Sequence, residues 1–251
     1  MTAEPARLLI LGGTAEAAAL ARRLAADPRL RVTSSLAGRT RTPAALKGDV
    51  RTGGFGGPEG LAAYLKDQAV DLVVDATHPF AARISDNGAQ ACRAVGVPRL
   101  VLTRPPWQAS PGDRWTQVPS AEAAARTLPK LGRRAFLSAG RQAIPAFTGV
   151  RETWFLVRLI DRPDAPLPLA RHHLFLDRGP FDETAETALL RHHGIDVVVS
   201  KNSGGAATYG KIAAARGLGL PVVMLARPAP PRGEVAFTVD QALAWIDGQV
   251  S

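Results

Sequence analysis

Arg7-Leu8-Leu9-Ile10-Leu11-Gly12-Gly13-Thr14-Ala15-Glu16 is a short apolar run that turns through two glycines into an Ala/Leu/Arg stretch of helical period. The pattern predicts a strand over 7–11 and a helix over 15–26, a β-turn-α unit. Working outward, the same alternation continues. A strand is expected at 30–36, a helix containing 61–66, and a strand at 71–75 whose near-continuous apolar centre suits a parallel sheet covered on both faces. A helix over about 80–95 and a strand over 99–102 complete the series.

From 103 to 112 the chain is Pro-rich and aperiodic, as where one lobe hands over to another. This places a first domain at 1–107 and a second at 108–251. In the second, Ser120 caps an Ala-rich helix, and strands are expected at 134–137 and 153–160. A helix over 183–193 stopped by Gly194, a strand over 196–200, a helix over 210–218 and a strand over 221–225 follow, with a closing helix over 238–248. The expected fold is α/β: two doubly wound, mostly parallel Rossmann-like lobes with an interdomain cleft as the default binding site. No strong internal repeat is visible, although a strand in each half ends in a Gly/Ser-rich turn before a helix.

With 251 residues, 46% hydrophobic and 21% charged, the chain has ample material for packed cores. A single cysteine, Cys92, excludes an intramolecular disulfide framework and suits a reducing cytoplasm. The apolar run at 8–11 is too short for a signal segment, and nowhere do about 18 uninterrupted apolar residues predict a membrane span. A net charge of +9 predicts attraction to polyanions, including a multiply carboxylated small molecule. Nucleic acid is disfavoured, because the arginines are scattered and aromatics make up only 6%.

Gly12-Gly13-Thr14-Ala15-Glu16 opens a helix, where free amides and the positive end of the helix dipole can hold a phosphate. The spacing departs from G-x-G-x-x-G, so a plain tight turn stays open as a reading. NAD-preferring folds carry an acidic residue about 20 residues after the glycines. Here the stretch is Ser34-Ser35-Leu36-Ala37-Gly38-Arg39-Thr40-Arg41, and Ser35, Arg39 and Thr40 suit a 2′-phosphate, favouring NADPH. Gly53-Gly54-Phe55-Gly56-Gly57 is either a hinge or a close ligand approach, with Gly54 the candidate contact. Asp75-Ala76-Thr77-His78-Pro79-Phe80-Ala81 puts Thr77 and His78 at a strand's C-terminal edge; Asp75 and His78 serve equally well as helix caps.

In the second half, Ser138-Ala139-Gly140-Arg141 and Ser200-Lys201-Asn202-Ser203-Gly204-Gly205 each follow a strand, with Thr208 and Lys211 beyond. Their donors suit carboxylates or phosphates. The pairs His172-His173 and His192-His193 lack partners at ligand spacing, so no metal is expected. No G-x-S-x-G elbow supports serine-hydrolase chemistry.

Gly-Gly-Thr-Ala-Glu at 12–16, Asp-Ala-Thr-His-Pro-Phe-Ala at 75–81 and Ser-Lys-Asn-Ser-Gly-Gly at 200–205, closed by Gly-Leu-Pro-Val-Val-Met-Leu-Ala-Arg-Pro at 219–228, resemble the precorrin-6A reductase family of cobalamin biosynthesis over the whole chain. The resemblance implies NADPH-dependent reduction of one double bond in a tetrapyrrole, precorrin-6A or its cobalt complex going to the 6B form. It implies a multiply carboxylated substrate, in keeping with the basic chain, and neighbouring corrin-pathway enzymes as further partners. His78 and Lys201 are the candidates for polarising or protonating the macrocycle. Gly12, Gly13, Thr14, Glu16, Ser35, Arg39, Thr40, Gly54 and Thr77 are the cofactor candidates, and Ser138, Arg141, Asn202, Ser203, Gly204, Thr208 and Lys211 the substrate candidates. Two rivals remain at this level: a two-lobed nucleotide-sugar transferase and a non-catalytic NADP sensor.

Overall fold

A computed structural model of the chain describes residues 4–36, 48–230 and 232–250. The chain forms two compact units, one of Met1–Pro105 with Pro228–Ser251, the other of Pro106–Arg227. In the first, strands β1 (Ala6–Leu11), β2 (Leu30–Leu36), β3 (Asp49–Thr52), β4 (Leu72–Asp75) and β5 (Arg99–Leu102) alternate with helices α1 (Ala15–Leu24), α2 (Pro58–Asp67) and α3 (Ala82–Val95). In the second, β6 (Arg114–Val118), α4 (Ala121–Thr127), β7 (Arg134–Ser138), β8 (Trp154–Leu159), β9 (His172–Leu176), α5 (Glu183–His192), β10 (Val197–Lys201), α6 (Gly210–Gly217) and β11 (Pro221–Leu225) follow. Then β12 (Glu234–Ala236) and α7 (Val239–Gln249) return to the first unit.

A single boundary at 107 is therefore corrected for the tail. β12 pairs in parallel with β5, Glu234 opposite Leu100 and Ala236 opposite Leu102, and α7 buries Ala242 and Ile246 in the first unit's core. A three-residue strand carries too little periodicity to announce that return in the sequence.

Both sheets have six strands and every pairing is parallel. The first has the order β3-β2-β1-β4-β5-β12 and the second β9-β8-β7-β10-β11-β6. Each is the 3-2-1-4-5-6 order of the dinucleotide-binding fold, with the sixth place filled by a strand from elsewhere in the chain. The strand order reverses between β1 and β4, and again between β7 and β10, and ligands bind at the C-terminal ends of strands flanking such points.

Period-two alternation explains why helices cover both faces of the first sheet. Leu8 and Ile10 of β1 point to one side, with Leu20 and Leu24 of α1 and Ile246 of α7. Leu9 and Leu11 point to the other, with Leu61 and Leu65 of α2 and Ala91 and Cys92 of α3. In the second unit Phe136, Leu156, Val198 and Met224 share a cluster with Leu190 of α5 and Ile212 of α6.

Candidate functional site

At the first switch point, Thr14 is the N-cap of α1: its Oγ1 accepts from the Ala17 amide at 3.1 Å and donates to the Ala76 carbonyl at 2.8 Å. That bond ties the glycine turn to the end of β4. The amides of Ala15 and Glu16 then start the helix with no acceptor among the described residues, a ready anion cradle. Gly13 has φ +109°, and a Cβ placed on it meets nothing within 4 Å, so the space above the turn is open. Gly12 donates to the Ser35 carbonyl at 2.9 Å, which joins the turn to the end of β2. These features fit a phosphate-bearing nucleotide. The Glu16 carboxylate is held by Arg104 at 2.8 and 3.0 Å, so among the candidates Glu16 offers its backbone rather than its side chain.

Ser35 is buried, and its Oγ accepts from Arg51 at 3.2 Å. Arg51 also donates to the carbonyls of Gly53 and Gly54, each at 2.8 Å, so the glycine loop is clasped by a side chain the sequence did not single out. Its backbone lies close to itself at one point: a Cβ on Gly60 would fall 1.8 Å from the Phe55 carbonyl. The loop is thus a close approach of chain to chain at Gly60, with open space beside Gly54. Arg39 and Thr40 lie outside the described residues.

Asp75, only 1% exposed, ends β4. It accepts from the Thr77 amide at 3.3 Å and hydroxyl at 2.8 Å, from Arg99 at 3.2 Å, and from the Ser85 hydroxyl. A buried carboxylate so surrounded is electrostatically satisfied, and its visible consequence is a fixed Thr77. His78 Nδ1 accepts from the Phe80 amide at 3.2 Å, which leaves the neutral ring's proton on Nε2. Both side chains thus accept backbone amides within the turn, but neither caps the helix that follows: its N-cap is Ala81, without a side-chain cap bond, and it begins at Ala82 rather than near Phe80.

At the second switch point, Ser138 ends β7 and Gly140 (φ +78°) turns the chain, placing a Cβ position 3.6 Å from Lys201 Nζ at the end of β10. The structure thus brings Ser138, Gly140 and Lys201 to one edge. Arg141 is exposed, its Nη2 near the carbonyls of Asp161 (3.3 Å) and Arg162 (3.5 Å). The turn after β10 is built rigidly. Asn202 accepts from the Trp107 amide at 2.7 Å and donates to its carbonyl at 3.0 Å, while the Trp107 indole donates to Gly205 at 2.8 Å. Arg227 donates to the Ser203 carbonyl at 2.9 Å.

Two substrate candidates are engaged within the fold itself. The Asn202 amide bonds to Trp107 and serves the turn. Lys211 is 4% exposed and donates to the Thr208 carbonyl at 2.7 Å, its Nζ 5.3 Å from the Trp107 ring centroid. Burial pushes its ammonium down to about 7, Arg158 adding to the shift and Glu186 opposing it. Spacing on α6 could not reveal this, because the helix is buried without a break from Gly210 to Ala215 and so presents no polar face to distinguish Lys211. In the sequence Trp107 is only a residue of the Pro-rich 103–112 stretch, and Arg227 the next to last of the 219–228 stretch. Among the described residues, no group of three His, Cys, Asp or Glu could hold a metal ion, and no helix is long and apolar enough to cross a membrane.

Residues 7–247 match the family model described as precorrin-6x reductase CbiJ/CobK. The precorrin-6A reductase of Rhodococcus erythropolis is 51% identical over 241 residues, covering 96% of this chain and 97% of its own. That of Rhodobacter capsulatus is 45% identical over 240 residues, covering 96% and 95%. The solved structure of CobK precorrin-6A reductase matches with a TM-score of 0.92 at 44% identity, covering 97% of each chain.

Proposed function

The chain belongs to the precorrin-6x reductase family, and on that footing we propose that it reduces one double bond of precorrin-6A to the 6B form in corrin-ring biosynthesis, with NADPH as the donor. The observation that carries the reading is the match over residues 7–247, which spans both units and every motif named above. It favours an acting reductase over a sugar transferase or a passive NADP sensor.

NADPH, when bound, supplies the hydride. The chain's part is to bind and orient. The amides of Gly13, Ala15 and Glu16 would hold the pyrophosphate, and Ser35, with Arg39 and Thr40, the phosphorylated ribose. Gly54 leaves room for close approach, and Thr77, fixed by Asp75, lines the same edge. His78 presents an Nε2 proton, and Lys201 a cation, for polarising or protonating the macrocycle. At the second edge Ser138, Arg141, Ser203, Gly204 and Thr208 are proposed to hold carboxylates of the tetrapyrrole. The site of action in this reading is the cytoplasm, with other corrin-pathway enzymes as neighbours.

Anaerobic incubation of the protein with NADPH and precorrin-6A tests the proposal. Loss of nicotinamide absorbance together with a change in the tetrapyrrole spectrum is expected. Either change without the other would overturn it.

A further inference from the structure

Arg51 is a cation at the ligand-binding edge of the first sheet whose described partners are all neutral. It stands opposite Ser35 in the β2–β3 register. Its Nη1 donates to Ser35 Oγ at 3.2 Å and to the Gly53 carbonyl at 2.8 Å, and its Nη2 to the Gly54 carbonyl at 2.8 Å. Its Cζ lies 3.7 Å from the centroid of the Phe55 ring, which Tyr64 backs edge-on at 5.1 Å. Two carbonyls, a hydroxyl and an aromatic face orient the guanidinium without cancelling its charge. Nε–H and one Nη2–H have no acceptor among the described residues, and no carboxylate there pairs with it. A guanidinium immobilised in this way is prepared for an anion that arrives from solution.

We infer that Arg51 reads the 2′-phosphate of the dinucleotide and so sets preference for NADPH over NADH, an inference that rests on the cofactor reading proposed above. In this fold the ribose next to adenine lies at the end of the second strand, where Ser35 stands, and a carboxylate there would select the unphosphorylated ribose. Here the strand end carries a serine hydroxyl hydrogen-bonded to an arginine. Arg39 was the sequence candidate for this contact; Arg51 arrives from the neighbouring strand, beyond the reach of a motif read along β2. Binding charge at a site already ordered also avoids the entropy of fixing a long side chain.

The competing role is that of a clasp for the 53–57 loop, and it makes a different prediction. Fluorescence titration of the full chain with NADPH and with NADH measures both affinities without turnover. Arg51→Met, which keeps an apolar stem against Phe55, is expected to weaken NADPH binding roughly ten- to hundredfold, as for loss of a hydrogen bond to a charged group. NADH binding should stay within about twofold. Arg51→Lys, keeping charge without the fork, should fall between. Equal losses for both dinucleotides would make Arg51 a clasp and overturn the inference, as would a preference for NADPH undiminished in both variants. If Arg51→Met does not fold, Arg51→Lys decides by the same comparison. A wild-type chain that binds NADH as tightly as NADPH sinks the cofactor reading and this inference together. A preference that survives both variants sinks the inference alone.

Discussion

Lys211 is buried on α6, where Arg158 and Glu186 are the charges that act on it. The Arg158–Glu186 pair is itself buried, bidentate at 2.6 and 2.7 Å, so it neutralises itself and does not compensate the lysine. Lys211 therefore folds most favourably as a neutral amine. Because its folded pKa of about 7 lies below the ordinary lysine value of 10.5, the unfolded chain binds more protons between those values, and stability must rise as pH increases from about 7. Cys92 acts in the opposite sense: burial pushes its thiol up to about 11 from 9.0, so above about pH 9 the unfolded thiol ionises first and stability falls. The window in which Lys211 dominates this pair is thus pH 7 to 9. Calorimetric melting across it should show the transition temperature rising for wild type, and Lys211→Met, which keeps the volume without the charge, should flatten the rise. An unchanged slope in the variant would show that another group is responsible. KM for the tetrapyrrole should not move, since Lys211 is buried and its nitrogen is engaged by the Thr208 carbonyl.

At the level of elements, legibility followed length and burial. The inner strands 30–36, 99–102 and 221–225 are observed with those limits; the last two are buried with a continuous apolar signal, and 30–36 carries an alternating one through Leu30 and Val32. The strands that escaped prediction, β3, β6, β9 and β12, hold the outer places of their sheets. Asp49–Thr52 and His172–Leu176 have only exposed or half-buried residues, and their apolar content is one valine in the first and Leu174 to Leu176 in the second, so pairing with a neighbour rather than composition makes them strands. The site followed the same rule. Glycine turns after buried strands were visible, whereas Arg51 and Trp107, which act through contacts distant in sequence, were not. Gly13 is the element-level test of the first turn. Gly13→Val forces a β-branched residue to φ +109°, a strain of about 1–3 kcal/mol, and fills the open space above the helix N-terminus. Gly96→Val is the matched control. That residue has φ +75° at the C-cap of α3 and also meets nothing within 4 Å, but it lies at the opposite end of a helix. Both variants should melt earlier than wild type. NADPH should raise the melting temperature of Gly96→Val and not of Gly13→Val; equal shifts would place the phosphate site elsewhere.

Across the whole molecule, the same strand order occurs twice, and each copy ends buried strands in glycine-containing turns at its switch point. A duplicated scaffold does not require duplicated function, and the two edges differ in chemistry. The first offers helix amides, a hydroxyl and an arginine with neutral partners. The second has no α-helix directly after β7, only the 3-10 segment Arg141–Phe147, so it lacks a helix N-terminus to cradle a pyrophosphate there. What it has is Lys201 beside Gly140, and Arg141, whose described partners are carbonyls. Other arginines are engaged in exposed pairs, such as Arg29 with Asp247 and Arg133 with Glu152, which contribute little to stability. The proposed reading therefore gives the first edge to the cofactor and the second to the carboxylated substrate. Lys201→Ala should raise KM for the tetrapyrrole or depress the reduction rate, while NADPH affinity without substrate changes by less than about 0.5 kcal/mol, the range of a non-contact change. Added salt should reproduce part of the loss in wild type, because half-exposed carboxylate contacts are screened over a Debye length of about 8 Å at physiological ionic strength. Titration of NADPH alone and steady-state kinetics on the same variant make the comparison. A large drop in NADPH affinity with unchanged dependence on the tetrapyrrole would assign Lys201 to the cofactor and undo the division of labour between the two edges.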